Sequence, residues 1–139
     1  MIIGIDFDGT CVTHEFPNIG KSIGAEPILR KLVQNGHKLI LFTMRSDIEN
    51  PISDDYNIHA KGGLYLTEAV NWFKERDIPL WGINANPEQH TWTHSPKAYC
   101  NLYIDDAALG CPLIRNKGRD YVDWGMVELS LVIMGLISE

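Results

Sequence analysis

Residues 2–10, IIGIDFDGT, decide the fold of this chain, because in them an apolar run ends in two carboxylates one residue apart. The run shows no alternation of polar and apolar residues, which is typical of a parallel strand covered on both faces. Asp6 and Asp8 lie at its end. Since an unpaired charge is costly to bury, these carboxylates require a cation, hydrogen-bond donors or contact with water. The stretch therefore predicts a polar site at the end of a buried strand.

Similar apolar runs recur along the chain and alternate with helical patterns. The further strand-like runs are KLILFT (38–43), PLWGIN (79–84) and NLYIDD (101–106). The helical stretches are EPILRKLVQNG (26–36), GGLYLTEAVNWFKERD (62–77) and a last helix over about residues 120–137. Strands that alternate with helices at this spacing imply right-handed crossovers. We therefore predict an α/β fold: a three-layer α/β/α Rossmann-like open sheet, mostly parallel, in a single domain over residues 1–139.

The last predicted helix is apolar almost all the way round. Such a helix is expected to be clamped between the sheet and another element, and a second subunit of a homodimer is one candidate. Gly125 and Gly135 inside it predict close packing.

Charge and cysteine content exclude several classes of function. The formal net charge of −6 gives no broad surface for nucleic acid or an anionic membrane, whose binding proteins are usually basic. Cys11, Cys100 and Cys111 form no C-x-x-C pair and are odd in number, which favours a reducing compartment, with the cytoplasm as the default. The apolar runs at both ends are too short for a membrane span or a secretory signal.

Polar groups follow three of the four predicted strands. They are Asp6 and Asp8, then Thr43 with Arg45 just beyond, and then Asp105 and Asp106 with Lys97 shortly upstream. In open α/β sheets, ligands bind at the carboxyl ends of the strands. If the first and fourth strands are neighbours, four carboxylates meet there and need a cation. Oxygen ligands without a nearby cysteine or a convincing histidine pair favour Mg²⁺ over Zn²⁺.

The ordered set of strand-end residues resembles the haloacid-dehalogenase-like hydrolase superfamily. DFDGT at 6–10 is similar to its first motif, Thr43 to the second, Lys97 to the third and IDD at 104–106 to the fourth. The resemblance implies that Asp6 is the nucleophile and forms an aspartyl-phosphate intermediate.

The same resemblance implies roles for the remaining motif residues. Asp8 would be the general acid and base and would bind the metal through its backbone carbonyl. Thr43 and Lys97 would stabilise the phosphoryl group. Asp106 would be a direct metal ligand, and Asp105 a partner for water or for Lys97.

Residues near the first two motifs complete the predicted site. Gly9 and Thr10 fit a turn whose N–H groups approach an anion, and we predict that both bind substrate. Arg45 is predicted to bind substrate as well; the alternative is an ion pair with Asp47 or Glu49.

The intervals between the motifs are too short for the inserted cap domain that many members of the superfamily carry. A capless enzyme takes its specificity from surface loops, a neighbouring subunit or a large substrate. The specificity candidates are Arg45, Lys61, His90, Trp92 and His94.

Several residues have simpler interpretations. His90 and His94 have the i, i+4 spacing of a zinc site, but their stretch is loop-like, so zinc is the weaker interpretation. Trp72 and Phe73 are predicted to lie in the core, and Cys11 to be a small buried residue and not a nucleophile.

The sequence thus predicts a Mg²⁺-dependent phosphatase acting on a phosphomonoester of a small molecule or of a nucleic-acid end. Two alternatives stay open. The first is a catalytically weak regulatory protein that binds phosphate or metal on the same fold, and the second is a phosphoryl transferase.

Overall fold

Strands and helices alternate along the chain in the predicted order. The computed structural model describes residues 1–49 and 62–139. Its strands are β1 (Ile2–Ile5), β2 (Lys38–Leu41), β3 (Asp47–Ile48), β4 (Gly63–Leu64), β5 (Gly82–Ile83), β6 (Leu102–Ile104), β7 (Leu113–Ile114) and β8 (Tyr121–Val122). Its α-helices are α1 (Ala25–Gln34), α2 (Tyr65–Glu75) and α3 (Trp124–Ile133), and Gln89–Thr91 form a short 3₁₀ helix.

The four predicted strands form one parallel sheet in the order β5-β2-β1-β6. In this register Ile5 lies opposite Leu41 on one side and Ile104 on the other. The α/β open parallel sheet is therefore confirmed. Strands β1 and β6 are neighbours, so the residues that follow Ile5 and Ile104 emerge side by side.

One face of the sheet carries the hydrophobic core. Ile3, Ile5, Leu39 and Leu41 point to this face and are completely buried. They pack in one cluster with side chains from all three α-helices, among them Leu29, Leu32, Trp72, Phe73, Val127 and Leu131. Burial of each large aliphatic side chain contributes roughly 1.5–3 kcal/mol to the free energy of unfolding. The predicted core positions of Trp72 and Phe73 are confirmed.

The opposite face of the sheet is covered by residues 84–101, which contain the 3₁₀ helix. Tyr103 lies on this face, and its hydroxyl donates to the carbonyl of Ala98 in the covering segment. A Cβ atom at Gly4 would lie 2.8 Å from the Tyr103 ring, so only glycine leaves room for that ring. The layer on this side is thus made of irregular chain, and it also carries Lys97.

Two short antiparallel pairs, β3–β4 and β7–β8, were not predicted from the sequence. Each strand in them has two residues, which is too short for a hydrophobic period to be recognised. The first pair places Asp47 at the start of α2, where its carboxylate accepts hydrogen bonds from the backbone N–H and the hydroxyl of Thr67. These bonds lower the pKa of Asp47.

Helix α3 is shorter than predicted and is less enclosed. It begins at Trp124 and not near residue 120, because Tyr121 and Val122 pair with β7 and Asp123 caps the helix by accepting from the N–H of Met126. Met126, Leu129 and Ile133 are largely exposed. Within the described residues α3 packs on the core with one side only, so the second element expected to cover it stays a prediction.

The predicted close packing at Gly135 is also not found. No described atom lies within 4 Å of the position that a Cβ would take, and the residue has a φ of +74° just beyond the helix end. Gly135 therefore serves as a helix terminator. Among the helices of residues 1–49 and 62–139, none has both the length and the apolar character that crossing a membrane requires.

Candidate functional site

Three carboxylates converge where β1 and β6 end. Oxygen atoms of Asp6, Asp105 and Asp106 all lie within 4.8 Å of one another. Strand pairing is the cause, since it continues one residue past β1: the N–H of Asp6 donates to the carbonyl of Ile104 at 3.1 Å. We call these residues the three-acid cluster. The structure brings together three of the four carboxylates expected to meet.

Thr10 connects Asp6, which follows β1, with Asp106, which follows β6. Its buried hydroxyl lies 2.8 Å from Asp6 Oδ2 and 3.4 Å from Asp106 Oδ1, and it accepts from the backbone N–H of Asp106 at 3.1 Å. The carbonyl of Thr10 in turn accepts from the indole N–H of Trp124 at 2.7 Å. Thr10 therefore fixes the relative position of the acids, a role that differs from the predicted contact with substrate.

Gly9 allows the close approach of the loop to Asp106. Its φ is +83°, and a Cβ at this position would lie 2.5 Å from Asp106 Oδ2. No side chain fits there without displacing the carboxylate. The N–H of Gly9 donates to the carbonyl of Val12, and the N–H of Thr10 to the carbonyl of Phe7. These two amides are thus occupied, contrary to the prediction that they meet an anion.

Burial, and to a smaller extent the crowding of the acids, changes their protonation. Burial raises the pKa of Asp6 from 3.8 to about 8; the hydrogen bond from Thr10 lowers it, and the nearby Asp106 and Asp105 raise it. Burial also raises the pKa of Asp105. Like charges that are partly removed from water oppose one another's ionisation. A bound cation would therefore relieve the repulsion within the three-acid cluster.

The residues present fit a hard divalent cation. The donor set consists of carboxylate oxygens only, which suits Mg²⁺, Ca²⁺ or Mn²⁺ better than a thiolate- or imidazole-seeking metal. The raised pKa of Asp6 has the direction expected of a ligand without its cation. Asp6, Asp105 and Asp106 would hold the ion.

Asp8 does not join the three-acid cluster through its side chain. Its carboxylate accepts two hydrogen bonds from Arg45, at 2.8 Å from Nε and 2.8 Å from Nη2. The Arg45 side chain is 1% exposed and that of Asp8 is 12% exposed. The two residues thus form a buried bidentate ion pair, which sequence reasoning missed because they lie 37 positions apart.

All five N–H donors of Arg45 have protein acceptors. Besides Asp8, they are the carbonyl oxygens of Pro17, Asn18 and Tyr65. The guanidinium also lies 5.1 Å from the centroid of the Phe7 ring. In this arrangement Arg45 has no donor left for a substrate, and it positions Asp8 instead. The alternative pairing with Asp47 or Glu49 is replaced by the pair with Asp8.

Thr43 and Lys97 lie near the same edge of the sheet. The Thr43 N–H donates to the side-chain oxygen of Asn84 at 2.8 Å, and the Thr43 hydroxyl oxygen accepts from the Arg45 N–H at 3.1 Å. Lys97 is exposed and lines a groove of about 290 Å³ together with Asp105. Asn84, just after β5, is a positioning residue that sequence reasoning did not identify.

Arg119 is a further residue that the sequence analysis missed. Its Nη2 lies 3.7 Å from Asp106 Oδ2, and its side chain is 56% exposed. It lies at the turn between β7 and β8, whose sequence is RNKGR (115–119). Three cations in five residues of an acidic chain were the signal that could have drawn attention to this turn.

The remaining candidates lie away from these contacts or outside the described residues. His90, Trp92 and His94 are exposed in the segment that covers the second face, and Trp92 packs edge-on against Tyr99. The metal-ligand group found in the described residues contains neither histidine. Lys61 lies outside the described residues.

Cys11 is completely buried, as predicted. Burial raises the pKa of its thiol well above the ordinary value, with Asp6 adding to the effect.

The fold and the site define an α/β protein with an acidic cluster at the carboxyl end of a parallel sheet. No protein-family model matches the chain, and no curated protein matches it. Among solved structures, the chain is similar to a conserved protein coded by a locus from Bacteroides thetaiotaomicron, at 31% sequence identity with a TM-score of 0.69. The similarity covers 97% of this chain and 90% of that protein. The chain therefore belongs to the same family as the Bacteroides protein.

Proposed function

We propose that the protein is a Mg²⁺-dependent phosphatase that hydrolyses a phosphomonoester through an aspartyl-phosphate on Asp6. The three-acid cluster carries the proposal, because it lies where open α/β sheets bind their ligands. Its donor chemistry suits Mg²⁺, which proteins usually hold with one or two carboxylates and substrate phosphate oxygens. The ordered motifs of the haloacid-dehalogenase-like resemblance agree with this reading.

The proposed reaction has two steps. In the first, a carboxylate oxygen of Asp6 attacks phosphorus, the bond from phosphorus to the leaving oxygen breaks, and Asp8 protonates the leaving alkoxide. In the second, water attacks the aspartyl-phosphate and Asp8 takes its proton. Inorganic phosphate leaves, and the carboxylate of Asp6 is restored. Bound Mg²⁺ would supply charge neutralisation and orientation of the phosphoryl oxygens.

Thr43 and Lys97 would stabilise the transferring group. The Thr43 hydroxyl oxygen already accepts from the Arg45 N–H, so its own hydrogen is available to a phosphoryl oxygen. Lys97 brings a positive charge to the Asp105 side of the site. Such donors act on the charge that develops on the phosphoryl oxygens in the transition state.

One observation favours a second function, a regulatory protein that binds phosphate or metal with little turnover. In this structure the carboxylate of Asp8 is engaged by Arg45 on both oxygens. A general acid held in this way must break one of these bonds before that oxygen can carry a proton. If Arg45 never releases it, the fold would bind ligands without efficient hydrolysis.

Location and assembly are further proposals. A cytoplasmic location is supported by the absence of a C-x-x-C pair in the sequence and by the three free cysteines. A homodimer is supported by the exposed apolar side chains of Met126, Leu129 and Ile133 on α3.

Hydrolysis of an aryl phosphate with and without Mg²⁺ tests the proposed function. We expect Mg²⁺-dependent release of phosphate that is abolished by Asp6→Asn and lowered by roughly 10²–10⁴-fold by Asp8→Asn. Asp77→Asn, at an exposed loop residue, is the matched control and should leave the rate unchanged. Equal rates for the unaltered protein and Asp6→Asn would exclude the enzyme and leave the regulatory function. Phosphorylated alcohols in place of free phosphate would instead indicate a transferase.

A further inference from the structure

The turn between β7 and β8 presents an unusual concentration of positive charge. Arg115, Lys117 and Arg119 are exposed within five residues, in a chain whose formal net charge is −6. Gly118 has a φ of +95°, which lets the turn fold tightly. In β8, the N–H of Val122 donates to the carbonyl of Gly9 at 3.0 Å. The basic turn is therefore fixed to the loop that carries the first motif.

A groove of about 450 Å³ lies between this turn and residues 13–23. Lys117 and Arg119 line one side of it, and Lys21 and His14 line the other. Glu15, which also lines the groove, accepts a hydrogen bond from the hydroxyl of Thr13. Two lysines and an arginine thus face one carboxylate, so the groove favours an anion.

Arg119 connects the groove of about 450 Å³, which we call the basic groove, with the three-acid cluster. It also lines an adjoining groove of about 340 Å³ that contains Asp106. Its Nη2 lies 3.7 Å from Asp106 Oδ2. An anion in the basic groove would therefore be separated from the cluster by a single guanidinium group.

We propose that the basic groove binds a second phosphate of the substrate, so that the preferred substrate is a small molecule carrying two phosphates. This inference rests on the proposed function, in which the first phosphate lies at the three-acid cluster. Lys21 and Lys117 hold the second phosphate, and Arg119 lies between the two. The net negative charge of the chain opposes an extended nucleic acid, whereas the positive side chains of the basic groove are confined to about 450 Å³, which suits a compact anion such as a phosphate group.

Calorimetry with non-hydrolysable ligands tests the groove without relying on catalysis. In the presence of Mg²⁺, we expect propane-1,3-bisphosphonate to bind about tenfold or more tightly than propylphosphonate, as an added charge pair would give. Lys21→Ala and Lys117→Ala should each reduce this preference, and the double variant should abolish it. Lys74→Ala, an exposed lysine on α2, is the matched control and should keep it. All three side chains are exposed, so the variants should fold.

The outcomes separate this inference from the proposed function. Equal affinity for the two phosphonates, or a preference that survives the double variant, overturns the proposal that the basic groove binds a second phosphate. This holds even if an aryl phosphate is hydrolysed. Tighter binding of a 5′-phosphorylated trinucleotide than of the bisphosphonate also overturns it and assigns the groove to a nucleic-acid end. A lysine-dependent preference for the bisphosphonate supports the groove, and failure to hydrolyse any phosphomonoester then counts against the phosphatase alone.

Discussion

Arg45 holds Asp8 by two hydrogen bonds of 2.8 Å, from Nε to Oδ2 and from Nη2 to Oδ1. The same guanidinium donates to three backbone carbonyls, so it connects the first-motif loop, the segment around Asn18 and the start of α2. Bidentate pairs of this kind fix orientation as well as charge. Arg45 therefore determines where the proposed acid–base group lies.

Replacing Arg45 should strongly destabilise the protein. In Arg45→Met, the Asp8 carboxylate and three carbonyls lose their donors inside the protein, which is expected to cost about 3–5 kcal/mol in the free energy of unfolding. Urea denaturation measures this loss. Arg115→Met, at an exposed position, is the control and should change stability by less than about 0.5 kcal/mol. Similar values for both variants would contradict a structural role for the Arg45–Asp8 pair.

Substituting Gly9 should weaken the proposed binding of Mg²⁺. Gly9→Ala places a methyl group 2.5 Å from Asp106 Oδ2, so Asp106 must move away from the other two acids. We expect Mg²⁺ affinity, measured by calorimetry, to fall about tenfold or more. Gly36→Ala is a matched control, because Gly36 has a similar φ of +85° with no described atom within 4 Å. Equal losses of affinity in both variants would point to backbone strain as the cause.

Stability of the metal-free protein should fall as the pH rises. The pKa of Asp6 is raised from 3.8 to about 8, so between these values the folded state keeps a proton that the unfolded state has lost. Unfolding then becomes easier by on the order of 1 kcal/mol for each pH unit. Urea titrations at pH 5 and pH 8 measure the change.

Two further measurements, on an Asp6 variant and with added Mg²⁺, test whether Asp6 is the source of this pH dependence. Asp6→Asn should flatten it, because the amide does not titrate. Mg²⁺ should stabilise the unaltered protein more at pH 8 than at pH 5, since protons compete with the metal for the carboxylate. A stability that rises with pH in the absence of metal would contradict the raised pKa.

Thr10 should be needed to hold the acids together. Thr10→Val keeps the shape of the side chain but leaves the backbone N–H of Asp106 without its acceptor, at a cost of about 1–3 kcal/mol. Because the Thr10 hydroxyl lowers the pKa of Asp6, the variant should also raise that pKa further. Carboxyl NMR titration follows the pKa, and Thr10→Ser should restore both properties. No difference between the valine and serine variants would contradict this role.

The central sheet could be predicted from the sequence because its signals are local. Each apolar run is continuous, and the carboxylates come directly after two of them. Parallel pairing then brings Asp6 and Asp105 to one edge without further information. The limits of α1 were predictable for the same reason, since Gly36 follows its apolar stripe and has a φ of +85°.

The parts that escaped prediction depend on contacts between distant residues. Arg45 reaches Asp8 through a long side chain, and no local pattern distinguishes that partner from Asp47 or Glu49. Helix α3 begins later than predicted because the two-residue strand β8 pairs with β7. Only the folded chain reveals this pairing. The backbone N–H groups of Gly9 and Thr10 donate to carbonyls of the same turn. The motif alone does not show that these carbonyls, and not an anion, accept the two hydrogen bonds.

The hydrogen bond from the Trp124 indole to the Thr10 carbonyl has a consequence for how the protein is made. Thr10 is synthesised about a hundred residues before Asp105, Asp106 and Trp124. During that interval the nascent chain carries Asp6 without Asp105 and Asp106, the other members of the three-acid cluster. The proposed ion site can therefore form only after Trp124 has been synthesised and has docked on the loop that contains Thr10.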